Sequence, residues 1–455
     1  MRASKFVSVA LFTLLLLAGL IGNILPVNII NVEATLPTIT PQEVTRPTTS
    51  HGEGDVWIVN GDELWFQVGY LWSTKALRLY KTTDIGVTNP SWTTVADAPV
   101  NITFQSNSYL TSDGAYMYGF ITNWTISHDN YGWLFNVQTE QVTELTEPDG
   151  LGWINNKMNA WTEKGNTLYE ANYYRTTPPY EGEHIQNVTK GQTALSIFKN
   201  MTEVYGASVL HVHAVSYSPT TDRLYFAMDE GAGYINLVNN EVTWIKKKPI
   251  GGPNIYKASM TQEAEVGSVT NIFVGSDLVT ETYIDRYDVN SNLLNRYSFT
   301  GSDHGTETLF KNLIVYGDKL FIAGSATGMA TTNHGIMMQS LIDGSYKWIR
   351  NDTNTEAIPN MWKIGNYIYW VRLNSLYMVD LTDVPLYDYT FDNNIQIRYL
   401  AGANATLQTA SYSSDKLTLT INGDSEGTSI TKIYCGSEGE PTSVSGADSW
   451  SYDSN

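Results

Sequence analysis

From Val56 onward the chain alternates short apolar runs with Gly, Asn, Asp and Ser. One sub-pattern recurs, a two-residue turn followed by an apolar strand with a large aromatic near its start. Gly61-Asp62 leads to Trp65, Asp113-Gly114 to Tyr116-Met117-Tyr118, Gly165-Asn166 to Tyr169 and Thr221-Asp222 to Tyr225. Gly317-Asp318 leads to Phe321 and Gly365-Asn366 to Tyr369, and a looser copy at Val266-Gly267 reaches Phe273. The turn starts at 61, 113, 165, 221, 266, 317 and 365 lie 52, 52, 56, 45, 51 and 48 residues apart. Self-similarity at this period marks a solenoid or a propeller.

The interior of the repeats decides between the two. In the fourth, Val212–Tyr217, Arg223–Met228, Tyr234–Val238 and Val242–Ile245 read as strands. In the sixth, Asn312–Tyr316, Lys319–Ala323, Gly335–Leu341 and Tyr346–Ile349 do the same. Four antiparallel strands on tight turns make one propeller blade. Asn, Asp and Gly suit those turns because hairpins need positive φ. No repeat carries a ten-residue helical period, which excludes helical solenoids. The recurrent aromatic is large enough to fill the wedge between blades.

Seven such repeats fill about three quarters of the chain. They resemble a seven-bladed β-propeller of the exported or cell-surface type, a resemblance of architecture that transfers no functional residue. The Gly-His and Trp-Asp marks of WD40 repeats and the double glycine of kelch repeats are missing, and Ser340-Leu341-Ile342-Asp343-Gly344 has the wrong spacing for a sialidase box. The expected fold is all-β, with a propeller over residues 51–392 and a small immunoglobulin-like β-module over 393–455. In that tail Leu407–Tyr412, Leu417–Ile421 and Ile430–Tyr434 read as strands, and the pattern stops unfinished at Ser449-Trp450-Ser451-Tyr452. The alternative is an eighth blade, because Ser414-Asp415 follows Gly365 by 49 residues.

The front of the chain follows other rules. Arg2 and Lys5 precede a stretch without charge from Phe6 to Asn31. This is the layout of a secretory signal, or of a membrane anchor if uncleaved, so residues 1–34 are expected to place the remainder outside the cytoplasm. Residues 35–50, with Pro37, Pro41 and Pro47 among threonines, read as a stiff linker. With 27 Lys+Arg against 46 Asp+Glu the net charge is -19, which argues against nucleic acid. The single Cys435 excludes an internal disulfide framework and a Cys-cluster metal site.

Candidate chemistry is sparse. His211 and His213 stand two apart on an expected inner strand, so both rings share a face and could hold zinc or copper with a third ligand. The other reading is two polar residues lining the channel. Asp303, His304 and His334 fall in loops of neighbouring repeats and are the catalytic candidates. Asp229-Glu230 and Glu263/Glu265 offer carboxylate pairs of the kind glycoside hydrolysis needs, or solvated turn residues. Asp288-Val289-Asn290-Ser291-Asn292 opens like a calcium loop but lacks the glycine and the final Glu, so a hairpin turn explains it. Lys246-Lys247-Lys248 reads as a solvated turn. Sequons stand at Asn101, Asn123, Asn187, Asn200, Asn351 and Asn404.

Two functions from different classes remain. One is a non-catalytic extracellular binding or assembly protein for envelope proteins or glycans, with self-association through the C-terminal module, no nucleic acid, and membrane contact only through the N-terminal segment. It needs no cofactor; a metal ion is the one addition the histidines allow. The other is a secreted polysaccharide hydrolase or lyase with its site at the propeller mouth.

Overall fold

The computed structural model describes residues 33–34, 36–47, 389–390, 396–398, 404–413, 416–422 and 449–453, and most of 54–384. Within 54–384 it leaves out 69–77, 99–107, 123–129, 147–160, 172–183, 210, 267–268, 278–281, 300–307, 327–333, 342–343, 353–359 and 373–374. The chain divides into two compact units, Leu36–Asp388 and a second formed by Met1–Thr35 with Tyr389–Asn455.

The strands in chain order are β1 (Glu33–Ala34) and β2 (Gln42–Val44), then the blades. Blade 1 is β3 (Gly54–Val59), β4 (Glu63–Val68), β5 (Arg78–Thr82) and β6 (Thr93–Asp97). Blade 2 is β7 (Tyr109–Leu110), β8 (Tyr116–Thr122), β9 (Asn130–Asn136) and β10 (Gln141–Glu144). Blade 3 is β11 (Trp161–Lys164), β12 (Thr167–Ala171), β13 (His184–Thr189) and β14 (Ser196–Asn200), followed by the short helix α1 (Met201–Tyr205). Blade 4 is β15 (Val212–Ser218), β16 (Arg223–Met228), β17 (Gly231–Asn236) and β18 (Val242–Lys247). Blade 5 is β19 (Ala258–Val266), β20 (Val269–Ser276), β21 (Thr282–Asp288) and β22 (Leu293–Phe299). Blade 6 is β23 (Thr308–Tyr316), β24 (Lys319–Ala326), β25 (His334–Ser340) and β26 (Tyr346–Asp352). Blade 7 is β27 (Met361–Ile364), β28 (Tyr367–Arg372) and β29 (Ser375–Asp380), with β2 as its outer strand. Each sheet pairs its strands antiparallel in sequence order, apart from β2 on β29.

The repeating turn is the hairpin between the first and second strand of each blade. Gly61, Gly114, Gly165, Asp222, Gly317 and Gly365 all carry positive φ there, the conformation that selected those residue types. The aromatic after each turn fills a wedge. Trp65 shares a core with Met117 and Trp133 of blade 2, Tyr118 with Trp161 and Leu168 of blade 3, and Tyr169 with Val212 and Leu224 of blade 4. Tyr225 shares one with Ile272 and Tyr287, Phe273 with Phe310 and Leu320, and Phe321 with Met361 and Ile368. Tyr369 of blade 7 closes the circle against Val56 and Leu64 of blade 1. The architecture is therefore a seven-bladed β-propeller.

Closure uses a segment expected as spacer. Gln42-Glu43-Val44 pairs with Met378, Tyr377 and Leu376, and Val44 joins the closing core. Pro41 and Pro47 limit the strand to this length, since proline cannot donate to a ladder. The ring is complete at seven blades without residues 393–455, which disposes of the eighth-blade alternative.

In the second unit β1 pairs with β30 (Tyr389–Thr390). β31 (Gln396–Arg398), β32 (Asn404–Ser413), β33 (Lys416–Asn422) and β34 (Ser449–Asp453) form one antiparallel sheet. An immunoglobulin-like sandwich needs two facing sheets. The described residues supply one, and Ser449–Asp453, read as an unfinished end, is its edge strand. The strand expected at Ile430–Tyr434 and the apolar N-terminal segment lie outside the described residues. Among the described residues no helix is long and apolar enough to cross a membrane.

The wedge aromatics set stability. Phe273 is fully buried. Phe273→Ala is expected to lower unfolding free energy by about 3–5 kcal/mol in urea titration, whereas the exposed Val238→Ala changes it by less than about 0.5 kcal/mol. Val44→Asp buries an unpaired charge at the seam, and hydrogen exchange of β29 is expected to accelerate before that of any other blade.

Candidate functional site

Every first strand runs from an inter-blade loop to its hairpin turn, so the channel has an inter-blade rim and a hairpin rim. Inner strands of neighbouring blades are held by side chains that reach the next strand's backbone. Ser216 Oγ donates to Thr261 O at 2.6 Å. Gln262 Nε2 donates to Leu313 O at 2.9 Å while its Oε1 accepts from Leu313 N at 3.2 Å. Asn312 repeats this with Met361 O at 2.7 Å and Met361 N at 3.2 Å. These staples fix the rims.

At the inter-blade rim, blades 4 and 5 present two equivalent pairs. His211 and Lys257 immediately precede their inner strands, and Asp229 and Asp277 immediately follow their second strands. Asp229 N donates to His211 O at 3.3 Å and Asp277 N to Lys257 O at 3.1 Å, the same backbone bond in both blades. The register of β15 on β16 slips between Val212 and Ala214, leaving His213 on a bulge. A bulge re-aims its side chain, and His213 Nε2 lies 2.8 Å from Asp229 Oδ1 and 3.3 Å from Asp277 Oδ2. His211 Nδ1 lies 3.4 Å from Asp229 Oδ2, and Lys257 Nζ 3.1 Å from Asp229 Oδ1. Burial alone would push the Asp229 carboxyl up. Hydrogen bonds to His211 and His213, with the charges of His213 and Lys257, outweigh it and hold Asp229 well below the usual carboxylate range.

The same bulge recurs in blade 6, where the register slips between Phe310 and Asn312 and leaves Lys311. Its charge acts on the buried Asp55 of blade 1, which accepts from Val56 N at 2.9 Å and Asn360 Nδ2 at 3.1 Å. Burial dominates these bonds and raises the Asp55 carboxyl to about 6; burial also lowers the Lys311 ammonium.

The hairpin rim holds a cavity of about 580 Å³ lined by Tyr109, Trp161 and Trp362 with Ser112, Thr162, Glu163 and Lys190. Glu163 is anchored from blade 2, accepting from Ser112 N at 2.8 Å and Ser112 Oγ at 2.6 Å, and it pairs with Lys190. Lys190 also meets Asp113 Oδ2 at 3.3 Å. Burial would lower the Lys190 ammonium, but its carboxylate partners raise it instead. The cavity thus offers aromatic surfaces beside a fixed carboxylate–ammonium pair.

The sequence-derived candidates divide. His211 and His213 come together and are joined by Asp229, whose sequence neighbour Glu230 is not part of the cluster. Asp303 and His304 lie outside the described residues. His334 is the first residue of β25, opposite Asp352, where a loop was expected. Glu263 is a peg between blades, accepting from Thr221 Oγ1 at 2.6 Å and Tyr225 Oη at 2.5 Å. Asp288 Oδ1 accepts from Asn290 N at 2.9 Å and Asn292 N at 2.8 Å, which makes its loop a hairpin turn. Lys246 and Lys247 belong to β18, and Lys246 Nζ donates to Tyr283 Oη at 2.6 Å where a solvated turn was expected. Of the sequons, Asn187 is half-buried in β13, and Asn200 caps α1 by accepting from Glu203 N at 3.2 Å. Asn351 lies in β26 and Asn404 opens β32; Asn101 and Asn123 lie outside the described residues.

No family model and no curated protein matches this chain. Solved structures do. The extracellular domain of a proposed one-component system from B. thetaiotaomicron aligns over 85% of this chain and 50% of its own at 10% identity and a TM-score of 0.47. The extracellular domain of a proposed hybrid two-component system from the same organism covers 86% and 46% at 12% identity and 0.45. Puromycin hydrolase covers 84% and 52% at 10% identity and 0.40. The chain spans about half the length of these structures, and likeness at this level transfers no residue and no activity.

The Asp55 pair generates a pH signature. Its folded-state carboxyl titrates above the unfolded value, so its contribution to stability is complete below pH 3.8 and is lost as pH rises to about 6. In thermal melts across that window, Asp55→Asn is expected to gain stability relative to the parent as pH rises, with a constant difference above it.

Proposed function

We propose that this is an extracellular, non-catalytic binding propeller that takes neutral glycan of the cell envelope or its surroundings at the hairpin rim. The apolar N-terminal run behind Arg2 and Lys5 supports the location. The observation that carries the ligand class is the cavity where Tyr109, Trp161 and Trp362 stand beside Ser112, Glu163 and Lys190. A sugar ring has an apolar face that stacks on an aromatic plane and an equatorial belt of hydroxyls that needs fixed donors and acceptors. Glu163 supplies acceptors and Lys190 donors, both already held in place. Preorganisation of that kind reduces the entropy cost of binding. The net charge of -19 disfavours a polyanionic glycan, which leaves neutral chains.

Glycan-array screening followed by calorimetry tests this. Trp362→Ala and the conservative Trp161→Phe, chosen because Trp161 also packs in the core between blades 2 and 3, are each expected to weaken binding of the selected neutral oligosaccharide, the former about tenfold or more, with the fold intact by circular dichroism. Equal affinity in parent and both variants, or an array without neutral ligands, overturns the reading.

A further inference from the structure

The ion network at the rim between blades 4 and 5 is also a set of metal-type donors. His211 Nδ1, His213 Nε2 and a carboxylate oxygen of Asp229 lie within 4.8 Å of one another. Asp277 Oδ2 stands 3.3 Å from the same His213 nitrogen. We propose that these four side chains form a zinc site that bridges blades 4 and 5, with His211, His213 and Asp229 from one blade and Asp277 from the next.

Three features argue for a built site. Neutral imidazole and carboxylate are the ligands of zinc centres, which take four donors tetrahedrally. His213, Asp229 and Asp277 are all buried, so their positions are fixed by packing rather than by solvent. His213 points inward because β15 spends a bulge on it, and bulges of this kind cluster beside functional sites. Lys257 is the built-in competitor. Its ammonium already sits 3.1 Å from Asp229 Oδ1, where a dication would place its own charge. With a side chain 27% exposed, its four-carbon stem lets the ammonium turn out to water when metal enters. Without metal the cluster is electrostatically satisfied by Lys257, and zinc competes with that ammonium for Asp229.

The site shares no residue with the hairpin-rim cavity and stands whether or not that cavity binds glycan. The test is calorimetric titration of the metal-stripped full chain with zinc chloride, with thermal melts alongside. One zinc per chain is expected, with a rise in melting temperature that grows with free zinc, as binding to the folded state alone requires. His211→Ala, at the half-exposed edge of the site, is the variant that leaves the buried network standing. It is expected to weaken zinc by more than the roughly 10–100-fold that loss of an outer partner costs. Lys257→Met is expected to tighten it. Cobalt(II) in place of zinc is expected to give visible absorption that vanishes in His211→Ala. Absence of stoichiometric zinc on the parent chain overturns the proposal, as does zinc affinity unchanged by both substitutions.

Discussion

The structure depends on burying both faces of every sheet in a closed circle of wedges. A four-stranded sheet with two apolar faces is not stable alone, and stacking such sheets in an open row would leave two faces wet. The bend that lets the row close comes from aromatics packed between neighbours, from Trp65 through Tyr369. The last wedge, blade 7 on blade 1, makes the other six permanent. It gathers Val56, Leu64, Phe66 and Tyr80 against Ile364, Tyr369, Val371, Leu376 and Met378, with Val44 of β2 in the same cluster. Bringing residue 44 to residue 376 has a loop-closure cost that grows only slowly with length. A three-residue strand is sufficient because the apolar cluster, not the ladder, supplies most of the stabilisation.

Two tyrosines show how the wedges also fix the outer turns. Tyr118 Oη accepts from Gly191 N at 2.8 Å in the next blade, and Tyr369 Oη accepts from Gly86 N at 2.7 Å across the seam. Both glycines have positive φ and lie against a tyrosine ring of the preceding blade, so a side chain there would meet both strain and collision. A buried aromatic thus carries its polar end to a backbone donor that would otherwise be unsatisfied. The inner-strand staples do the same between first strands of neighbouring blades, which belong to separate sheets and share no backbone ladder.

Much of the fold was legible from the chain. The turn period and its aromatics stated the blade count, because the same wedge must be filled seven times. The staples were legible in principle: Ser216, Gln262 and Asn312 each stand four or five residues ahead of their repeat's turn. The linker reading failed at Gln42–Val44 because a strand this short, between prolines, has no period to see, and only the vacant edge of β29 gives it a partner. The immunoglobulin-like reading rested on strand-like runs, which do not say how many sheets they enter. In the site, the spacing of His211 and His213 was readable. Asp277 was hidden because its meaning comes from alignment with Asp229 in the neighbouring blade. Trp161, Glu163 and Trp362 were hidden too, since blade 3 and blade 7 are brought together only by closure of the ring, with about 200 residues between the two tryptophans.

The two rims show how one repeat is diversified without disturbing its packing. Backbone bonds from Asp229 to His211 and from Asp277 to Lys257 are equivalent, so the position before the inner strand takes either imidazole or ammonium at no structural cost. The extra residue of the bulge is His213 in blade 4, Ser259 in blade 5 and Lys311 in blade 6. Ser259 spends its hydroxyl on Ser276 O and Phe310 N, a structural use, whereas the other two set a titratable group near a buried carboxylate. At the inter-blade rim, ionisable chemistry therefore enters at positions the wedges leave free, the bulge and the ends of the first two strands. At the same slots different residues give a staple, a buried charge pair or a cluster of metal-ligating side chains. The wedge positions cannot diversify in this way, because each is an aromatic on which closure depends.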